Sequence, residues 1–99
     1  MNMSDIKRVH FIGVGGIGMC ALAQWMLEQG CAVQGSDQVK NEHCQRLIQQ
    51  GMIFFEGHSS EQVQGVDMIV YTSAVSDANC ELQYAREQGI ACMKRGELL

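Results

Sequence analysis

Apolar residues fall into short, nearly unbroken runs, separated by longer stretches in which they recur at helical spacing. VHFIGV within residues 8–14, CAVQG at 31–35, MIFF at 52–55, MIVYT at 68–72 and IACM at 90–93 predict five short buried strands. MIVYT is the strongest of them, joining β-branched and aromatic residues that suit a pleated surface. Residues 17–29 predict a helix, apolar nearly all round, with Met19, Trp25 and Met26 in the core and Gly30 as the C-cap. Residues 41–50 predict an amphipathic helix with Cys44, Leu47 and Ile48 inward, stopped by Gly51. Residues 59–64 read as a short helical turn or a loop. Asn79 predicts the N-cap of a helix through residue 88, ended by Gly89. RGELL at 95–99 reads as the opening turn of another helix, in a chain that a longer protein would continue.

Strands and helices alternating at this spacing pair their strands in parallel through right-handed crossovers. The expected fold is a single α/β domain over residues 1–99. Its sheet is open, parallel and five-stranded, in the order 3-2-1-4-5, with helices on both faces. No internal repeat, low-complexity segment or proline interrupts the pattern.

Between the first strand and the first helix lies FIGVGGIGMC, with Gly13, Gly15, Gly16 and Gly18 close together. Gly13-x-Gly15-x-x-Gly18 in that position is the spacing of a dinucleotide-type turn. The first glycine is expected to permit the tight turn, the second to let a ligand touch the main chain, and the third to let helix and strand approach. At the head of the helix the N–H groups of Gly16, Ile17 and Gly18 are expected to point outward, where the helix dipole adds about half a positive charge. No Asp or Glu lies between residues 9 and 27, so nothing in that stretch repels a phosphate. No Lys lies there either, and a Walker loop needs a Gly-Lys-Ser/Thr ending. The turn is therefore expected to hold a diphosphate without transferring it. Glycines serving strand–helix packing alone are the plainer alternative.

Other polar residues follow the strands at their carboxyl ends, where an open α/β sheet binds ligands. Asp37, 24 residues after Gly13, is placed to accept ribose hydroxyls, or else to cap a turn. Ser73 and Ala74 follow the fourth strand and would face the glycine turn if strands one and four are neighbours; a simple strand-end cap is the other reading. His58 lies after the third strand, as a site residue or a surface histidine. His10, inside strand one, reads as a packed core histidine.

The composition is that of an ordinary soluble globular chain, with 46% hydrophobic and 18% charged residues and a net charge of −4. Nucleic acid and anionic membranes are not expected as partners, because no basic face is foreshadowed. The only basic pairs, Lys7-Arg8 and Lys94-Arg95, read as solvated surface. MNMSDIKR carries no secretory signal, and residues 9–27 are too broken by glycines and polar residues for a membrane span. Five cysteines make no CxxC pair and no ligand spacing with the three histidines. They read as reduced thiols buried in a cytoplasmic protein that binds no metal here.

Taken together, these motifs resemble the opening of the Mur ligases. HFIGVGGIGM at 10–19 is similar to the family's HFIGIGGxGM, and GSD at 35–37 to its GSD after strand two. Gly57-His58 matches its histidine after strand three, and TSAV at 72–75 with residues 77–81 its SSAI…DNPE. Ala85-Arg86-Glu87 with KRGELL at 94–99 resembles ARExxIPVxxRxEML. The likeness runs from residue 8 to 99. Cys80 departs from it, standing where the family has proline.

What the resemblance implies is a Rossmann-like N-terminal domain that grips the UDP part of UDP-N-acetylmuramic acid. Gly15, Gly16, Ile17 and Gly18, flanked by Gly13 and Met19, would meet the diphosphate, with Ser73 and Ala74 opposite. Ser36, Asp37 and His58 would lie towards the ribose and uracil. In the family's whole enzyme ATP and Mg²⁺ activate the muramoyl carboxylate as an acyl phosphate, which the amine of L-alanine attacks. The ATP loop belongs to a central domain absent here, so this chain would carry no catalytic residue, metal or cofactor. The branch that joins a tripeptide to the same sugar nucleotide is kept as an alternative, although its loop usually has GICG in place of GVGG. On physics alone the fingerprint and Asp37 suit NAD equally, which keeps a dehydrogenase or regulatory nucleotide domain as the rival reading.

Overall fold

Five strands form one parallel sheet: β1 (Arg8–Ile12), β2 (Ala32–Asp37), β3 (Ile53–Glu56), β4 (Met68–Tyr71) and β5 (Ala91–Lys94). Their order is β3-β2-β1-β4-β5, as the alternation predicts. Three helices connect them, α1 (Ile17–Glu28), α2 (Glu42–Gln49) and α3 (Cys80–Glu87), with 3₁₀ turns at Ser60–Val63 and Arg95–Leu98. This computed structural model describes residues 6–98, without the side chains of Ile17, Glu97 and Leu98. Residues 1–5, part of the segment read as carrying no secretory signal, and Leu99 of the closing turn lie outside the described residues.

Alternation along β1 sorts the core into two layers. Val9 and Phe11 face Met19, Ala23 and Met26 of α1 and Cys44 and Leu47 of α2. Ile12, with Ile69 and Tyr71 of β4, faces Leu82 and Ala85 of α3 and Val63 of the first 3₁₀ turn. Helices therefore cover both faces, as expected. Trp25 corrects the reading of α1: it is 45% exposed. Met19, Ala23 and Met26 recur every three or four residues and define the inward stripe, and Trp25 falls outside it.

Strand boundaries shift by a residue or two from those expected. β2 runs on through Ser36 and Asp37 because they pair with Phe55 and Glu56 of β3. β1 stops earlier because Gly13 turns the chain with φ +80°. Asn41 and Asn79 cap α2 and α3 through their side-chain oxygens. Cys44 is buried, Cys20, Cys31 and Cys92 are half-buried, and Cys80 is exposed, so the expectation of packed thiols does not extend to Cys80. Burial pushes the Cys44 and Cys92 thiols above their ordinary value. Among the described residues no helix is long and apolar enough to cross a membrane.

Candidate functional site

The glycine turn sits where β1 is flanked by β2 on one side and β4 on the other, the point at which the sheet's connections reverse direction. Gly13 and Val14 both donate their N–H groups to the Ser36 carbonyl, at 2.8 and 3.1 Å. The Gly16 N–H closes the turn onto the Gly13 carbonyl at 3.1 Å. Gly16 is also the N-cap of α1, which has neither a side-chain cap nor an acidic residue in its first turn. Of the three amides expected to point outward, Gly16's is thus engaged within the turn. Those of Ile17 and Gly18 remain at the open head of the helix, where no carbonyl lies four residues back within α1.

Each fingerprint glycine has its own physical reason. Gly13 adopts the left-handed region the tight turn requires. At Gly15 an ionised side chain from outside residues 9–27 reaches the turn. Asp37 Oδ2 accepts the Gly15 N–H at 2.8 Å, and Asn41 Nδ2 donates to the Gly15 carbonyl at 3.0 Å. A Cβ there would stand 2.8 Å from both Asp37 Oδ2 and Asn41 Nδ2, so position 15 has no room for a side chain beside these two. Gly18 differs again. A Cβ on it would fall on the guanidinium of Arg95, the side chain from beyond β5 that covers this part of α1.

Beside Arg95 opens a cavity of about 320 Å³ between the carboxyl ends of β4 and β5, lined by Thr72, Ser73, Lys94, Arg95 and Gly96. The loop after β4 passes close to the glycine turn, for Val75 Cγ2 lies 4.0 Å from where a Gly13 Cβ would be. Ser73 and Ala74 are exposed on that loop, and Ser73 lines the cavity. The Ala74 N–H is held at 3.3 Å by Thr72 Oγ1.

Ser36 and His58 belong to a second constellation, centred on the fully buried Glu81 at the start of α3. His10 Nε2 lies 2.8 Å from Glu81 Oε1, and the Ser36 hydroxyl donates to the same oxygen at 2.6 Å. Gln62 Nε2 and the Ser59 N–H donate to Oε2 at 2.6 and 3.2 Å. His58 Nδ1 stands 2.9 Å from Ser36 Oγ, and since that hydroxyl's proton goes to Glu81, the histidine is the donor. Gln34 Nε2 donates to His10 Nδ1 at 2.8 Å, which fixes the His10 proton on Nε2, facing the carboxylate. Burial alone would raise the Glu81 pKa, but His10, Ser36 and the Ser59 N–H outweigh it and hold the carboxyl at about 2. His10 is buried as expected, although as part of a polar network rather than an apolar core.

The structure thus brings Gly13, Gly15, Gly16, Ile17, Gly18 and Asp37 together, with Ser73 and Ala74 on the neighbouring loop. It places Met19 in the core and commits the Ser36 hydroxyl to Glu81. Sequence reasoning missed Asn41, Glu81 and Arg95 as parts of this edge. Asn41 carried a signal, since an asparagine before an amphipathic run is an N-cap candidate. Lys94-Arg95 carried none as a pair, and its reading as solvated surface fails for Arg95, whose Nε is buried.

Several proteins of known family resemble this chain. A profile described as "Mur ligase family, catalytic domain" matches residues 8–99. The UDP-N-acetylmuramate–L-alanine ligase of Chlorobium luteolum is 44% identical over 100 residues, a match covering 100% of this chain and 21% of the relative. The crystal structure of UDP-N-acetylmuramate-alanine ligase MurC from Thermotoga maritima superposes with a TM-score of 0.88 at 33% identity, over 94% of this chain and 21% of that one. That of a murein peptide ligase from Psychrobacter arcticus gives 0.81 at 25% identity, covering 87% and 18%. The chain spans about a fifth of the length of the relatives it matches.

Proposed function

The chain belongs to the Mur ligase family, and from that premise we propose that it is the UDP-binding unit of a ligase joining L-alanine to UDP-N-acetylmuramate. The observation that carries this reading is the open head of α1 at the sheet's switch point, reached by an arginine and flanked by the loop after β4. A diphosphate there would meet the Ile17 and Gly18 N–H groups and the positive end of the helix dipole. Asp37 and Asn41 would hold the turn in shape around Gly15. Ser73 and Ala74 would close the opposite side, and His58, near the end of β3, would lie towards the nucleoside.

Activation of the muramoyl carboxylate by ATP and Mg²⁺ is assigned to the part of the ligase beyond this chain. The residues present do not fit that group: Met19 and Cys20 follow Gly18 where a phosphate-transferring loop needs Lys and then Ser or Thr. No step of the ligation is derived from the chain itself. The names of the relatives favour the L-alanine branch, while the nicotinamide-binding alternative gains no support from them.

Calorimetric titration with UDP-N-acetylmuramic acid, UDP and NADH tests the proposal. Saturable binding of both uridine ligands and no response to NADH is expected. Saturable NADH binding with no response to UDP would reverse it.

A further inference from the structure

We propose that the flank of α1 carrying Ala21, Leu22 and Trp25, with Ala91 and Met93 of β5, is the docking surface for a helix. That helix is supplied by the part of the ligase polypeptide that follows β5.

The flank is apolar where a solvent-facing helix surface is ordinarily charged. Gly18, Ala21, Leu22 and Trp25 recur at the i, i+3, i+4, i+7 spacing of a single helix face, and none carries a charge. Ala21 and Trp25 are exposed and Leu22 is half-buried. A tryptophan holds more apolar surface than any other side chain, and here it adjoins two further apolar residues. Contiguity of that kind marks an interaction surface, whereas scattered exposed apolar residues do not.

Arg95 gives the direction of the flank. Its guanidinium comes from the turn after β5 and lies over Gly18, so the face that holds Gly18 and Trp25 looks towards β5. Ala91 and Met93 of β5 pack against the α1 and α2 side of the sheet and remain half-buried. β5 is the edge strand, and α1 and α2 are the helices of that layer among the described residues. Leu22 and Trp25 thus wall a trough whose floor is Ala91 and Met93. The opposite face of β5 differs, for there Cys92 packs against the cluster that holds Leu82 and Ala85 of α3.

A trough between a helix and an edge strand is filled by a second helix lying beside the first. The chain spans about a fifth of the length of the relatives it matches, so most of such a ligase is polypeptide outside it. The 3₁₀ turn Arg95–Leu98 stands at the rim of the trough, with Arg95 already against α1. RGELL has the pattern of a helix's opening turn. A segment continuing from that turn has its shortest course back along the trough, antiparallel to β5. About 12 helical residues would match the length of α1, roughly 18 Å.

Trp25 is the chain's single tryptophan, so its fluorescence reports on the trough directly. The test compares the 99-residue chain with one lengthened past residue 99 by about 20 residues, enough for a helix as long as α1 and its connection. These are taken from the stretch that follows the matched region in the Chlorobium luteolum ligase. In the lengthened chain the emission is expected to move to shorter wavelength and its quenching by acrylamide to fall several-fold. Ala21→Glu, at an exposed position, places a charge in the docked surface and is expected to restore the emission and quenching of the shorter chain. Ala21→Ser, small and neutral, is expected to leave the docked state in place. Thermal unfolding checks that each variant is folded. Equal emission and quenching in the two chains would overturn the proposal. So would a shift that a folded Ala21→Glu leaves intact, since Trp25 would then be covered by something seated elsewhere. Short-wavelength emission in the 99-residue chain that is lost on dilution would give the flank to a second copy and overturn it as well.

Discussion

The carboxylate of Asp37, at the end of β2, accepts the N–H of Gly15 at 2.8 Å. An acidic residue at this position of a nucleotide-binding sheet is usually read as a ribose ligand. Here one of its oxygens is already spent on the turn, and the other accepts the Gln38 N–H at 2.7 Å. Its first effect is to shape the backbone that a diphosphate would meet. Asp37→Ala is expected to weaken UDP binding by about 1–3 kcal/mol and to lower stability as well, since both follow from releasing the Gly15 amide. Asp37→Asn keeps an acceptor and loses less of each. Calorimetry beside urea unfolding checks both, and Asp37→Ala unaltered in both would remove this role.

Gly18 and Arg95 form a second pair whose coupling can be measured. An alanine Cβ at position 18 would displace the guanidinium, which is the mobile end of a long side chain and can move aside. Gly18→Ala should therefore cost less than about 1 kcal/mol of stability, with the gain in helix propensity offsetting the displacement. Its effect should appear in UDP affinity, at about the size of Arg95→Ala. A double variant no weaker than either single one is the expected outcome of the cycle. Strictly additive losses would show that Gly18 acts independently of Arg95.

Glu81 joins β1, β2, the loop after β3 and α3 through His10, Ser36, Ser59 and Gln62. Removing it strands several buried donors together. Glu81→Ala is expected to lose about 3–5 kcal/mol in urea unfolding, the range for breaking a buried charged network from one side. Glu81→Gln preserves the shape but not the charge and should lose less. A loss under 1 kcal/mol for Glu81→Ala would mean that the network contributes no more than surface polar contacts do.

The same carboxylate sets an acid limit on the fold. Its pKa is held at about 2 in the folded chain, below the ordinary value of 4.5. The folded value is the lower one, so the stabilisation is complete above about pH 4.5 and fades as the pH falls towards 2. At full size it is on the order of 3 kcal/mol. Unfolding free energies measured across that window should fall with acid in the wild type and fall less steeply in Glu81→Gln. Asp67, whose exposed carboxylate accepts the Lys7 and Arg8 N–H groups, is also held below its ordinary value and leaves a residual slope in both proteins. Identical slopes would deny Glu81 its role.

Much of this architecture could be read from the sequence, because run length and periodicity report directly on strands and helices. Five apolar runs and their spacing were enough for the sheet order, and the glycines for the turn after β1. What stayed hidden depends on contacts between residues far apart along the chain. Gly15 and Asp37 are separated by 22 residues and His10 and Glu81 by 71, so no local pattern announces either pair. Arg95 sits in a basic pair indistinguishable in sequence from Lys7-Arg8, and only the sheet order carries it to the head of α1. Trp25 failed for a different reason. A helix apolar nearly all round does not say which of its faces the sheet will cover.

The idea on which the account rests is that backbone amides at the start of α1 hold a diphosphate. A crystal structure of the chain soaked with UDP tests it most directly. The predicted result is a phosphate oxygen within about 2.7–3.2 Å of the Ile17 and Gly18 nitrogens, with the Arg95 guanidinium against the same group. Uridine diphosphate bound at another place on the sheet, with that helix head untouched, would contradict it.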